Sequence, residues 1–225
     1  MGDEIVIRSM REDEWNEVAE LIHLSTNYWY QVNRRMNIFA CPPEGCLWFC
    51  KVYESLDPGC CLVAVAGDRI VGSCFYHPRP THVSLGIMNA HPSYAGRGIA
   101  ARLLNRVIQI AREQDKPVRL VSSAMNLDSY SLYNRAGFVP RQLYQDMLLP
   151  RGVASVPAPP LANRVRPATL DDVPHMAQLE SELAGLDRTK DFEYFIRNEQ
   201  GIWHTLVLEE DGRLRGLLAS VDHPS

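Results

Sequence analysis

The stretch from Ile99 to Glu113 constrains this chain most. Ile99, Leu103, Leu104, Val107, Ile108 and Ala111 recur at helical spacing, so one face of a helix is apolar and the other polar. Pro117 stops it. Two apolar, β-branched runs flank it, HVSLGIMNA at 82–90 and VRLVSSAM at 118–125, and both predict strands. Between the first strand and the helix lies Ala95-Gly96-Arg97-Gly98.

The remaining pattern extends that sheet. Residues 4–10 alternate and predict a strand, and residues 11–31 predict a helix whose first turn carries Glu12, Asp13 and Glu14, favourable at the positive end of the helix dipole. Residues 45–56 predict a second helix, and 61–66 and 69–77 predict two strands turned by Gly67-Asp68. Residues 128–136 predict a short helix capped by Asp128 or Ser129, with Gly137 in the left-handed position after its end. Residues 138–149 predict a strand, in which Pro140 implies an edge or a strand start. Residues 150–163 are rich in proline and small residues and read as a linker. A repeat follows. Arg166-Pro167-Ala168, Asp171, Ala177 and Leu179 match Arg8-Ser9-Met10, Asp13, Ala19 and Leu21, and Leu206-Val207 and Arg213 to Gly216 match Leu62-Val63 and Arg69 to Gly72. The expected domains are 1–149, a linker at 150–163, and an incomplete second copy at 164–225 that has no glycine loop.

Charge and composition exclude several classes. The net charge is −4, without the basic surplus that nucleic acid or an anionic membrane attracts. No apolar run reaches the ~18 residues that span a bilayer, and no signal-peptide core follows the acidic start, so a cytoplasmic location is expected. The six cysteines at 41, 46, 50, 60, 61 and 74 lack the paired knuckles of a zinc site. They read as reduced thiols, several buried, and no metal is expected.

The glycine loop admits two readings. Gly96-Arg97-Gly98-Ile99-Ala100-Ala101 fits a dinucleotide fingerprint. That reading needs the loop directly after a strand and an acidic residue at the end of the next one, whereas His91 to Tyr94 intervene and 121–125 hold no carboxylate. Both readings share one piece of physics. Small residues let a phosphate approach the main chain, and the first N–H groups of the following helix attract an anion.

With Ala90-His91-Pro92 ahead of Ala95-Gly96-Arg97-Gly98-Ile99-Ala100, and Asn126, Ser129, Leu132-Tyr133 and Gly137-Phe138 after it, residues 4–149 resemble the GNAT N-acetyltransferase family. The two signatures are ordered and separated by a helix and a strand. The resemblance implies the α/β (α+β) class and a GNAT fold: a mixed central sheet splayed between its fourth and fifth strands, with flanking helices. It implies acetyl-CoA as cosubstrate, with pantetheine along Met88, Asn89 and Ala90. Its phosphates would lie on Ala95, Gly96, Arg97, Gly98, Ile99, Ala100 and Ala101, and Asn126, Ser129 and Tyr133 would contribute further contacts. Tyr133 occupies the position of the general acid. Where the family usually has Gln or Arg, this chain has Ala95, and Arg97 or main-chain groups would compensate.

The implied activity is acetyl transfer to a primary amine, small molecule or peptide, by direct attack, with no nucleic-acid or membrane partner. The alternative is a GNAT-fold sensor that binds acyl-CoA without turnover. No carboxylate lies in 82–90 to act as base, which leaves His77, His82 and His91 or a water chain. Tyr28, Trp29, Tyr30, Phe39, Trp48 and Phe49 pack two helices or line an acceptor pocket. Residues 164–223 resemble the first half of a second such domain, and 203–219 are expected to cover a sheet edge of the first domain, within the chain or across a homodimer.

Overall fold

The computed structural model describes residues 4–145, 147 and 159–222. They form two compact units: the described residues of Met1–Val121 with Gly185–Asp191, and those of Ser122–Ala184 with Phe192–Asp222.

The first unit is built on a five-stranded sheet ordered β1-β2-β3-β4-β5. Its strands are β1 (Ile5–Ser9), β2 (Cys61–Ala66), β3 (Arg69–Pro78), β4 (Val83–Ala90) and β5 (Val118–Arg119). The first four pair antiparallel and β4 pairs parallel with β5, which makes the sheet mixed, as expected. The helices are α1 (Trp15–Arg34), α2 (Leu47–Leu56) and α3 (Ile99–Glu113). Two 3-10 turns, Glu12–Glu14 and Pro43–Cys46, lead into α1 and α2.

One core joins Val18, Ala19, Leu21 and Ile22 of α1 to Cys46 and Cys50 and to Val63 and Phe75 of the sheet, with Phe39, Phe49 and Tyr53 packed against it. Phe39 and Phe49 are thus core aromatics, whereas Tyr28 stays exposed on α1. The cysteines are free thiols, and Cys46, Cys50, Cys61 and Cys74 are buried; burial pushes Cys46, Cys50 and Cys74 up to about 12, so they stay protonated.

Two predicted elements change. The strand expected at 118–125 ends at Arg119, and Val121 is exposed. A strand persists only while it has a neighbour to bond to, and β4 pairs with β5 only at Val83–Val118 and Ser84–Arg119. Among the described residues of 138–149 no strand forms, and Val139, Leu143, Tyr144 and Met147 are exposed. Pro140 gives that segment one backbone donor fewer for a ladder. Asp146, Leu148 and Leu149, together with most of the expected linker, lie outside the described residues.

The second unit contains α4 (Leu127–Arg135), α5 (Val173–Ala184) and most of α6 (Thr189–Arg197). Its sheet is β6-β7-β8, from β6 (Val165–Pro167), β7 (Trp203–Glu210) and β8 (Arg213–Val221). Residues 203–219, expected to cover an edge of the first sheet, lie instead in β7 and β8 of this second sheet, where β7 pairs with both β6 and β8. Val173, Met176, Phe192 and Val207 form a small core.

The two sheets share part of their register. Arg8 stands opposite Val63 and Ala64 opposite Gly72; in the tail, Arg166 stands opposite Val207 and Leu208 opposite Gly216. Arg8 grips Glu14 through two contacts of 2.8 and 2.5 Å, and Arg166 grips Asp172 through two of 2.8 Å. Each carboxylate also accepts a backbone N–H at 2.8 Å, from Arg11 and Thr169 respectively. This second pair of equivalent residues was not among the sequence matches, because Glu14 and Asp172 differ in type.

Candidate functional site

The site begins where β4 leaves its parallel neighbour. Beyond Ser84, no strand among the described residues pairs with the β5 side of β4, so Leu85 to Ala90 present an open backbone edge there. On its other side β4 stays bonded to β3: Met88 faces Cys74, Asn89 faces Ser73 and Ala90 faces Gly72. The register slips between Cys74 and Tyr76, opposite Gly86 and Ile87, and such a bulge bends a strand.

After Ala90 the chain makes a short 3-10 turn, Pro92–Tyr94, and then the glycine loop. Ala95 and Arg97 donate their N–H groups back to Pro92 and Tyr94. Gly96 and Gly98 sit at φ +77° and +72°, left-handed conformations that a β-carbon disfavours. A β-carbon built at either position would meet nothing within 4 Å, so the space above the loop is open. Gly98 is the N-cap of α3, and no side chain caps that helix. The N–H groups of its first turn, Ile99 to Ala101, thus point out of the helix end with the dipole behind them. Arg97 lies over the Tyr94 ring at 4.7 Å. An anionic diphosphate fits this loop by charge, donor direction and room.

A glycine not marked by sequence brings the loop into place. A β-carbon on Gly72 of β3 would lie 2.4 Å from Ile99 Cγ2 and 3.1 Å from Leu103 Cδ1. The start of α3 therefore packs directly on the sheet backbone at Gly72. Only the general rule that a glycine inside a strand marks a close approach could have flagged it.

The predicted residues divide between the two units. Met88, Asn89, Ala90 and Ala95 to Ala101 belong to the first, and Asn126, Ser129 and Tyr133 to the second. Asn126, rather than Asp128 or Ser129, caps α4: its side-chain oxygen accepts the Ser129 N–H at 3.1 Å. An Asn oxygen one residue ahead of the helix reaches the N–H of the third helical residue, which an Asp already inside the first turn cannot do. Gly137 adopts φ +89°, and Phe138 donates to the Tyr133 carbonyl, closing the helix as the glycine predicts. The rings of Tyr133 and Phe138 stand 5.8 Å apart.

The three histidines offered as bases are all buried. His82 contacts Thr81 Oγ1 at 3.0 Å and Ser84 Oγ at 3.1 Å, and burial, with Arg119 and Arg79 nearby, pushes it down to about 4. His91 lies 2.9 Å from Arg69 and 3.1 Å from the Ser93 N–H, and burial followed by Arg69 lowers its pKa. His77 Nδ1 lies 2.7 Å from Asp57 Oδ2.

Sequence gave no sign of two further features. Asn89 Nδ2 donates to Ser25 Oγ of α1 at 2.7 Å, and Asn89 Oδ1 and Ser73 Oγ, side by side on paired strands, are buried without a partner among the described residues. Arg79 is gripped between Asp57, at 2.9 and 3.0 Å, and Asp191, at 2.5 and 2.6 Å. Among the described residues, no group of His, Cys, Asp or Glu could hold a metal, and no helix is long and apolar enough to cross a membrane.

Among solved structures, one described as an acetyltransferase of Pyrococcus horikoshii superposes with a TM-score of 0.65 at 20% identity, over 91% of this chain and 65% of its own. The chain thus spans about two thirds of that neighbour's length. The paia N-acetyltransferase of Thermoplasma acidophilum, in complex with coenzyme A, gives a TM-score of 0.52 at 18% identity, over 63% of this chain and 93% of its own. Both likenesses concern the fold. No curated protein matches the sequence. The model of the acetyltransferase (GNAT) family matches residues 15–138, more than half of the sequence, and the chain belongs to that family.

Proposed function

We propose that the chain transfers an acetyl group from acetyl-CoA to a primary amine by direct attack. One observation carries the reading: an open β4 edge leads, through one 3-10 turn, into a loop whose two left-handed glycines leave room beside an uncapped helix start. The coenzyme A held by the Thermoplasma neighbour supports the choice of cofactor. Bound acetyl-CoA supplies the activated thioester. The main chain of Met88 to Ala90 would hold the pantetheine arm, and the loop Ala95 to Ala101 the phosphates, through the N–H groups of Gly96 and of Gly98 to Ala101. Orienting two reactants in this way is worth up to ~7–11 kcal/mol of barrier. Tyr133 is assigned as general acid by its place in the second signature; a phenol with an ordinary pKa near ~10 is protonated at neutral pH and can donate. Asn126 orients α4 through its cap and, with Ser129, would contact the cofactor. We assign residues 1–149 to this domain, 150–163 to a linker, and 164–225 to a partial second copy that lacks a cofactor loop.

Ala95 favours a second reading, an acyl-CoA sensor without turnover, because it removes a side chain that the family uses on the phosphates. Melting with and without acetyl-CoA, followed by thiol release over a panel of peptide N-termini, lysines, polyamines and aminoglycosides, separates the two. A thermal shift with thiol release is the expected result. A shift without release on any amine assigns the sensor, and no shift at millimolar cofactor rejects both.

A further inference from the structure

The sequence leaves the proton acceptor open among three histidines, and their surroundings separate them. His82 has polar contacts on both ring nitrogens and a lowered proton affinity. His91 is wedged between the Arg69 guanidinium and a backbone N–H, both donors, and a neutral ring has one lone pair to offer them. His77 differs. Its Nδ1 meets a carboxylate, Asp57 Oδ2, at 2.7 Å, so the ring's N–H is drawn to Nδ1 and the lone pair to Nε2. Nε2 has no polar partner among the described residues, and a tenth of the side chain remains exposed.

The place of that nitrogen is marked by a glycine. A β-carbon on Gly86 would lie 2.9 Å from His77 Nε2, so the nitrogen rests directly over the bare Gly86 backbone. Gly86 lies in the β4 bulge, two residues past Ser84, the last residue paired with β5. Nε2 therefore stands at the point where the strands part.

We propose that His77 is the general base that takes a proton from the acceptor amine, and that Asp57 is its positioning residue. The inference rests on the acetyl-transfer reading above. As the amine nitrogen bonds to the acetyl carbon, Nε2 receives one proton from that nitrogen. The carbon–sulfur bond breaks, and the sulfur receives a proton from the Tyr133 hydroxyl. The His77 proton then returns to the Tyr133 oxygen through solvent, leaving an amide and a thiol.

The charges around His77 balance without it. Asp57 also bonds Arg79 and, at 2.8 Å, Lys190, and Arg79 bonds Asp191, so two carboxylates and two cations balance before His77 is counted. Burial works to raise the Asp57 pKa, but its bonds to His77, Arg79 and Lys190 outweigh that and hold it well below the usual carboxylate range. Asp57 thus remains an acceptor for the Nδ1–H. Tyr53 packs its ring 4.8 Å from the imidazole, and Ser84 faces it across the strands. These groups from α2, β3, β4 and the start of α6 surround the ring.

Two measurements test the assignment. Nitrogen NMR of histidine-labelled wild-type protein, with the His77 signal identified by its loss in His77→Gln, should show the Nδ1–H tautomer at high pH. An Nε2–H tautomer overturns the proposal whatever the enzyme does, and this reading stands whether or not the variant is stable enough to assay. In kinetics, His77→Gln should lower kcat/KM by about 100-fold or more, abolish the acid limb of its pH profile, and leave the coenzyme A Kd within about threefold. A variant with kcat/KM within about threefold of the wild type and an unchanged profile overturns the base while leaving acetyl transfer intact. A wild-type protein that neither binds coenzyme A nor releases thiol rejects the underlying reading and the base with it.

Discussion

Replacing Gly98 by alanine separates what the glycine loop contributes to folding from what it contributes to binding. Gly98 has φ +72° and nothing within 4 Å of a built β-carbon, so Gly98→Ala adds backbone strain without a clash. A left-handed conformation costs an alanine about 1–2 kcal/mol. For a domain of this size, a melting temperature moves about 4 °C per kcal/mol, so a fall of about 4–8 °C is expected. Gly67, in the β2–β3 turn, is the matched control: φ +63°, open space, and a position outside the loop. Gly67→Ala should melt as early as Gly98→Ala. The two should differ in cofactor affinity. A methyl group in the open space above the first turn of α3 keeps a phosphate from the N–H groups there, and a hydrogen bond to a charged group is worth about 1.5–3 kcal/mol. That is about a tenfold to a hundredfold weaker Kd for coenzyme A in Gly98→Ala. Calorimetric titration of both variants reads this directly. If Gly98→Ala binds coenzyme A as tightly as Gly67→Ala, the phosphates do not lie on this loop.

Three further outcomes follow from particular contacts. Gly72→Ala places a β-carbon 2.4 Å from Ile99 Cγ2 and should cost about 1–3 kcal/mol by overpacking, with Ile99→Ala recovering part of it in the double variant; additive losses in a denaturation cycle would refute the contact. His82 binds its proton only near pH 4 in the folded chain but near 6.5 when unfolded, so the unfolded state gains protons first and stability falls as pH drops from about 6.5 to about 4. His82→Gln should flatten that limb of the stability–pH curve measured by urea titration, and an unchanged slope would remove His82 as its source. Tyr133→Phe should slow turnover while sparing coenzyme A affinity, and equal turnover in single-turnover assays would remove it as the acid.

Local pattern determined much of this protein. The period of Ile99 to Ala111 marks α3, because a one-sided helix is encoded in spacing alone. Gly67-Asp68 fixes the β2–β3 turn, because a hairpin turn is a matter of neighbours in the chain. The glycine loop and the Asn126-to-Phe138 signature likewise sat in plain sight.

Other features depended on partners far along the chain. Whether 118–125 and 138–149 became strands turned on a ladder partner, and apolar, β-branched residues state only a preference for having one. Gly72 looked like any strand glycine until α3 was laid across it. His77, His82 and His91 were indistinguishable as residue types. Asp57, twenty residues from His77, and Gly86 of the bulge now distinguish them, since a tautomer and a lone pair's direction are set by what the ring touches. The sequence by itself determined most of the elements, their order and the kind of loop that could hold an anion. Only the tertiary structure decided where β4 parts from β5 and which imidazole stands at that opening, because both depend on contacts between residues whose spacing carries no period.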